Sequence, residues 1–184
     1  MGRAKDYTEQ LDIAKDIVIN SIGETMDLYG VNRSVGNLYG TMVFEHKSMT
    51  LDEMRNELQM SKPSMSAGVK RLQEFDGVKQ DFIRGSRKQH FTAEKDFFTF
   101  FGNFFSQKWE REIKLNLEAI HKAEDILNPI VQSDSTSTEI REEATKLLTQ
   151  IEHSKTYYAW LSTLSNALAT GEIFKAFPIP EDNA

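Results

Sequence analysis

The chain has 184 residues, 39% of them hydrophobic and 27% charged, with a net charge of −6 and no cysteine. This composition fits one compact unit or a small module with added helices, and it excludes disulfides and cysteine-based zinc sites. No apolar run approaches a membrane-spanning length and the N-terminus lacks a signal-peptide core, so a cytoplasmic location is expected.

In chain order, the periodicity predicts a long helix over 8–29. Leu11, Ala14, Ile17, Val18, Ile22, Met26 and Tyr29 keep one apolar face there, and Gly30 is placed to end it. A second helix is expected over 34–45 with Val35, Leu38, Tyr39, Met42 and Val43 inside; Gly36 and Gly40, four apart, suggest a close helix contact. Thr50 and Glu53 have the spacing of a capping box around Leu51, Met54 and Leu58, which predicts a short third helix. Ser61 is placed to cap a fourth, with Pro63 in its first turn, where a missing amide loses nothing. There Met65, Val69 and Leu72 repeat at helical spacing, while Lys62, Ser64, Ser66, Lys70 and Arg71 lie mostly on other faces.

A hairpin should follow, with a strand over 78–83, a Gly-containing turn over 84–88 and a return strand from Gln89 to Phe91. Thr92 is expected to cap a long helix whose first turn holds Glu94 and Asp96, and which runs to about Leu127, where Asn128-Pro129 interrupts it. Residues 133–138 read as a loop, 139–169 as one or two helices and Gly171 as their stop, with an extended tail from Pro178.

A capped short helix, a tight turn, a second helix with small polar and basic residues early, and then a basic hairpin is the layout that reads a DNA groove. The candidate DNA-binding residues are Ser61, Lys62, Ser64, Ser66, Lys70 and Arg71 on the second helix of the pair and Arg84, Arg87 and Lys88 at the hairpin tip. From Ser61 to Phe91 seven Lys and Arg stand against three Asp and Glu, a local +4 that leaves −10 for the rest of the chain. One basic element on an acidic molecule is an electrostatic footprint, whereas an ordinary solvated hairpin would not require the helix pair before it. The expected fold is mainly α with a small β-wing: a winged helix-turn-helix over 33–92, an N-terminal dimerisation helix over 1–32, and a helical dimerisation and effector-sensing region over 93–184. Two-fold proteins match two half-sites on DNA, so a homodimer on double-stranded operator DNA is expected.

Residues 97–109 hold six of the twelve phenylalanines and end on Trp109. On a helix these rings point nearly all round, so the segment should be covered on several sides. A second aromatic set, Tyr157, Tyr158 and Trp160, lies on the last long helix. The plainer reading assigns these rings to a core and a dimer interface. The sharper one makes Phe97, Phe101, Phe105, Trp109, Tyr157 and Trp160 candidates for a box around an organic cation, since a quaternary ammonium has no hydrogen-bond donor and must be held by ring faces. Trp109 leads the set, having the strongest face and charged neighbours. His46, His90, His121 and His153 are scattered with no pair at ligand spacing, and no phosphate loop or nucleophile arrangement is present, so neither a metal site, a cofactor nor an enzyme is expected.

The strings at 16–42, 49–75, 84–91 and 94–112, with YYAWL at 157–161 and TGEIFKAFPIP at 170–180, together resemble the GbsR subgroup of MarR-type transcriptional regulators over nearly the whole chain. The resemblance implies a dimeric winged-helix repressor of genes for choline uptake and its conversion to glycine betaine, released by choline, with glycine betaine as a second candidate effector. It also implies an effector site near the junction of the DNA-binding and dimerisation helices. Two other readings stay open: a regulator whose aromatic segment is core alone, with no small-molecule effector, and a winged-helix adaptor that binds protein. The cationic tip argues against the adaptor.

Overall fold

The computed structural model describes residues 7–181. In order these form α1 (Thr8–Leu28), α2 (Arg33–Phe44), β1 (Met49–Thr50), α3 (Leu51–Leu58), α4 (Lys62–Gln73), β2 (Val78–Asp81), β3 (His90–Ala93), α5 (Phe97–Gln132), α6 (Thr138–Ala169) and α7 (Ile173–Ala176). The mainly helical architecture with a small β-wing is the expected one. The chain divides into two compact units, one through Phe100 and one from Phe101. No helix among the described residues is long and apolar enough to cross a membrane.

In the first unit α1 ends as its sequence suggests. Gly30 takes φ 74° and donates to the Asp27 carbonyl, while Val31 N–H donates to Met26 O, the paired bonds of a Schellman motif. Helix α1 packs on α2 through small residues: a Cβ on Gly36 would stand 2.7 Å from the Cα of Gly23, and one on Gly40 would stand 3.2 Å from the Cα of Ile19. The Gly36/Gly40 pair is therefore a backbone-to-backbone contact. The apolar face of α1 is not continuous in the way its periodicity suggests. Ile19, Gly23 and Met26 are buried against the unit, whereas Leu11, Ile17, Val18 and Tyr29 are exposed. Burial follows the glycine contact with α2, which faces the Ile19–Gly23–Met26 stripe.

Thr50 begins α3 with a complete capping box: its hydroxyl accepts from Glu53 N at 3.3 Å, and the Glu53 carboxylate accepts from Thr50 N at 2.7 Å. The Thr50 N–H, and then the Thr50 hydroxyl donating to the same carboxylate at 2.8 Å, hold the Glu53 carboxyl below its ordinary value. Gln59 in the left-handed region (φ 51°) turns the chain into α4, which Ser61 caps through Ser64 N. Met54, Met65, Val69 and Leu72 are buried, and Gly68 lets α4 approach Leu38 of α2.

The sheet is antiparallel in the order β1-β3-β2, with Met49 opposite Phe91 and Val78 opposite Ala93. Three corrections to the sequence reading follow. Strand β2 stops at Asp81, leaving Phe82 and Ile83 in the loop. Thr92 belongs to β3, where its hydroxyl donates to Asp81, and the residue that caps α5 is Asp96, which accepts from Phe98 N at 2.9 Å and from the Thr99 hydroxyl at 2.8 Å. Helix α5 does not break at Asn128-Pro129 but continues to Gln132; with Pro129 in the exposed final turn, only the bond to Asp125 O is forgone.

In the second unit α5 and the single long α6, capped by Ser137, form a hairpin. Gly102 admits the Leu168 carbonyl at 3.0 Å from the place of a Cβ, and buried Ser165 donates to Ser106 O at 2.9 Å. Farther along, Lys155 bonds Glu124 at 2.9 Å. Not every ring of 97–109 is covered: Phe104 is buried, but Phe97, Phe98 and Phe101 are exposed in this chain.

Two substitutions test these contacts. Gly36→Ala gains helix propensity worth about 1 kcal/mol at most, but drives a methyl into backbone at 2.7 Å. We therefore expect net destabilisation of roughly 1–3 kcal/mol in urea unfolding. Thr50→Ala should cost about 1 kcal/mol through loss of the cap. Unchanged unfolding midpoints would contradict both.

Candidate nucleic-acid interface and aromatic rows

The helix that can enter a groove is α4, and its buried stripe decides which residues remain for a ligand. With Met65, Gly68, Val69 and Leu72 turned inward, Lys62, Ser64, Ser66 and Lys70 are exposed. Ser61 is exposed but engaged, its hydroxyl 2.9 Å from that of Ser64. Arg71 is held elsewhere: it pairs with Glu74, and its guanidinium lies 4.4 Å from the Phe75 ring centroid. Of the six candidates, Lys62, Ser66 and Lys70 are exposed and form no side-chain bond among the described residues, Ser61 and Ser64 build the cap together, and Arg71 braces the helix end.

The wing loop, 82–89, is ordered by one serine. Ser86 N donates to Ile83 O at 3.1 Å, closing a turn that needs Gly85 at φ 88°. The Ser86 hydroxyl accepts from Lys88 N at 3.1 Å and lies 2.9 Å from His90 Nε2. Lys88 reaches across to Asp52 at the start of α3, Nζ to Oδ2 3.1 Å. That bond, then the charges of Lys88, Arg55 and Lys62, hold the Asp52 carboxyl below its ordinary value. Lys88 thus anchors the wing to the helix pair, while Arg84 and Arg87 are exposed and form no ion pair among the described residues. Spacing could not reveal the Lys88–Asp52 link, since the partners are 36 residues apart. It also could not mark Phe82, which is almost wholly exposed beside these arginines.

In the second unit the α5 rings form a connected row. Phe101 lies 4.9 Å from Phe105, Phe104 lies 5.2 Å from Phe105 edge-on, and Phe105 lies 5.6 Å from Trp109, centroid to centroid. Phe97 stands one turn earlier on the helix, in the first unit. On α6, Tyr157 lies 5.0 Å from Tyr158 and 6.1 Å from Trp160. The ring contact of Trp109 is thus with its own row, and those of Tyr157 and Trp160 are with each other and Tyr158. Phe101, Tyr157 and Trp160 are exposed, while Phe105 and Trp109 are half-buried. Between the helices lies an open groove of about 480 Å³ lined by Ile113, Leu117, Glu152, Lys155, Tyr158 and Ala159 among others. Burial, then the negative charge of Glu112, raises the Tyr158 phenol pKa above its ordinary value. The groove has one aromatic wall and contains Lys155, so by itself it is a poor cage for a cation. No group of three or more metal-ligating side chains occurs among the described residues.

The different settings of the wing cations give distinct expectations. Arg87→Ala should weaken binding to specific and random duplexes alike and lower the slope of log K against log salt by about one. Ser64 or Ser66 substitution should reduce discrimination between sequences instead. Asp52 has a depressed pKa in the folded state, so its anchoring of Lys88 is present above the unfolded carboxylate value and is lost as pH falls through the folded one. Amide exchange across 84–89 should therefore rise in Asp52→Asn at neutral pH and in the unaltered chain only in acid. Equal exchange in both at neutral pH would show that the anchor does not hold the wing.

Known proteins share this organisation. Residues 97–175 match the family described as GbsR family transcriptional regulator, C-terminal helical hairpin. The chain is 55% identical over 169 residues to the HTH-type transcriptional repressor GbsR of Bacillus subtilis (strain 168), covering 92% of this chain and 93% of that protein. It is 28% identical to the HTH-type transcriptional repressor OpcR of the same organism, covering 95% and 94%. A solved structure described as a transcriptional regulator aligns with TM-score 0.57 at 16% identity, covering 86% of this chain and 98% of that one, a likeness of fold. The chain belongs to the MarR-like GbsR family of transcriptional regulators and is not an enzyme.

Proposed function

We propose that the chain is a DNA-binding transcriptional repressor that acts as a homodimer on operators of choline-uptake and glycine betaine synthesis genes and is released by choline. The observation that carries the DNA-binding part is the exposed Lys62, Ser64, Ser66 and Lys70 of α4 beside a wing whose exposed Arg84 and Arg87 form no ion pair among the described residues. The 55% identity with a protein named as a repressor supports the sign of regulation. The exposed Leu11, Ile17 and Val18 of α1 support a dimer, because a second copy would bury apolar surface that one chain leaves in water. The division into an N-terminal dimerisation helix, a winged helix-turn-helix and a C-terminal sensing region belongs to the same proposal. The described α1 packs on α2 within the first unit, so it would serve both the fold and the dimer.

For the effector, the supporting feature is the ring row ending at half-buried Trp109, with Glu110 and Glu112 close in sequence to favour a cation. Choline carries a fixed positive charge that no proton transfer removes. Ring faces hold such a charge at low desolvation cost, at about 0.5–2 kcal/mol per well-placed contact. A row offers faces on one side only, so the cage would be closed by the second copy. Glycine betaine shares the quaternary ammonium and would enter the same site. Some of the rings serve packing instead; Phe104 is buried.

Choline should quench or shift Trp109 fluorescence at micromolar to millimolar concentration. Trp109→Ala should keep operator binding and lose release by choline, while Trp109→Phe or Tyr should keep part of the response. If Trp109→Ala stays folded and releases DNA with unaltered choline sensitivity, Trp109 is not in the site. If no titration with the unaltered chain shows any response, the regulator has no such effector and the rings serve packing within the chain and contact between copies.

A further inference from the structure

The wing carries an apolar side chain that neither folding nor the electrostatic reading uses. Phe82 is 95% exposed, and Ile83 beside it is 40% exposed. No ring pairs with Phe82 among the described residues, and strand β2 stops one residue before it. A large aromatic left in water forgoes the stabilisation that burial would give, so a place where it becomes buried is expected.

The surroundings indicate which partner that is. Arg84 and Arg87 lie in the same loop, exposed and without an ion pair among the described residues. The cation that could have been neutralised within the protein, Lys88, already is, by Asp52 at 3.1 Å. The nearest strand cation, Lys79, is likewise paired, with Glu94 at 3.3 Å. A phenylalanine in one loop with two arginines that form no ion pair among the described residues would meet a polyanion, not an apolar protein surface, because an apolar partner would have to desolvate both guanidiniums. The loop is also held in shape by the Ser86 bonds and the Lys88–Asp52 anchor, so presenting the ring requires little further ordering.

We propose that Phe82 is a DNA wedge: it inserts between base steps of the minor groove beside the α4 contact, partly unstacks them and bends the duplex, while Arg84 and Arg87 neutralise the flanking phosphates. This rests on the DNA-binding reading above and adds to it a residue that selects sequence by deformability. Flexible pyrimidine–purine steps would be favoured at the wing position without any hydrogen bond to a base. Ile83 lines the entry as a second apolar contact.

The test uses the full-length protein and a duplex selected from a random-sequence pool for tight binding, with a dye at each end and 2-aminopurine at the step under the wing. The unaltered chain should shorten the dye-to-dye distance, with a bend of about 20–90°, and raise 2-aminopurine fluorescence. Phe82→Ala should lose both signals and bind the duplex on the order of 10–100-fold more weakly, with an unchanged salt slope. Phe82→Leu, still an apolar wedge, should retain most of both. Arg87→Ala should lower the salt slope yet keep the bend at saturation. Phe82→Ala that bends and binds as the unaltered chain does overturns the wedge while leaving DNA binding intact. A change in sedimentation of the DNA-free Phe82→Ala protein also overturns it, since Phe82 would then serve contact between copies. Failure of the unaltered chain to select any duplex would sink the DNA-binding reading itself.

Discussion

The first unit is held together at Tyr39. Its side chain is wholly buried on α2, and a buried phenol needs a partner for its hydroxyl. It donates to the backbone carbonyl of Glu94 at 2.7 Å, and its ring stacks on Phe100 at 4.4 Å. Glu94 N in turn donates to Gly77 O at 2.9 Å, closing the end of the β2–β3 ladder. Gly77 has no side chain because the Phe100 ring fills the space: a Cβ there would stand 2.8 Å from it. Helix, sheet and the first turn of α5 therefore meet at one aromatic side chain. Burial, with the charges of Glu94 and Asp96, raises the phenol pKa above its ordinary value, so it remains a donor at any physiological pH.

From that fixed point α2 distributes the remaining contacts. Gly36 and Gly40 admit α1, and Leu38 meets α4 at Gly68. With its apolar side committed inward, α4 can only offer its polar and cationic side outward. The wing is tied to the same frame at both ends, by the β1–β3–β2 ladder at its base and by Lys88–Asp52 near its tip. These ties set the spacing between the helix face and the wing, the quantity that docking into successive grooves depends on. Arg84 and Arg87, which form no ion pair among the described residues, and exposed Phe82 are what that frame presents to solvent.

Sequence patterns revealed the caps, the helix stop and the buried stripe of α4, which depend on neighbours three or four residues apart. The Thr50–Glu53 box, the Ser61 cap, Gly30 as a helix stop and the burial of Met65, Val69 and Leu72 are all local rules, and the structure follows each. What stayed hidden depends on distant partners or very short elements. A two-residue strand such as β1 has no alternation to detect. Thr92 and Asp96 are both acceptable caps, and only strand pairing with Lys79 removes Thr92 from the choice. Pro129 stops most helices, but near an exposed helix end its cost is small. The buried stripe of α1 was set by glycines on another helix, not by its own apolar residues. At the site, residue types identified the basic elements, but which cations are free was a matter of tertiary ion pairs.

The central claim is that α4 and the 82–89 loop form one DNA-reading surface on a frame fixed by Tyr39. Amide hydrogen exchange of the full chain, with and without a saturating selected duplex, tests it most directly. The account predicts added protection confined to the first turns of α4 and to the wing loop, with the α1–α2 contact already slow to exchange in the free protein. Protection gained instead along α5 and α6, with α4 and the wing unchanged, would contradict it.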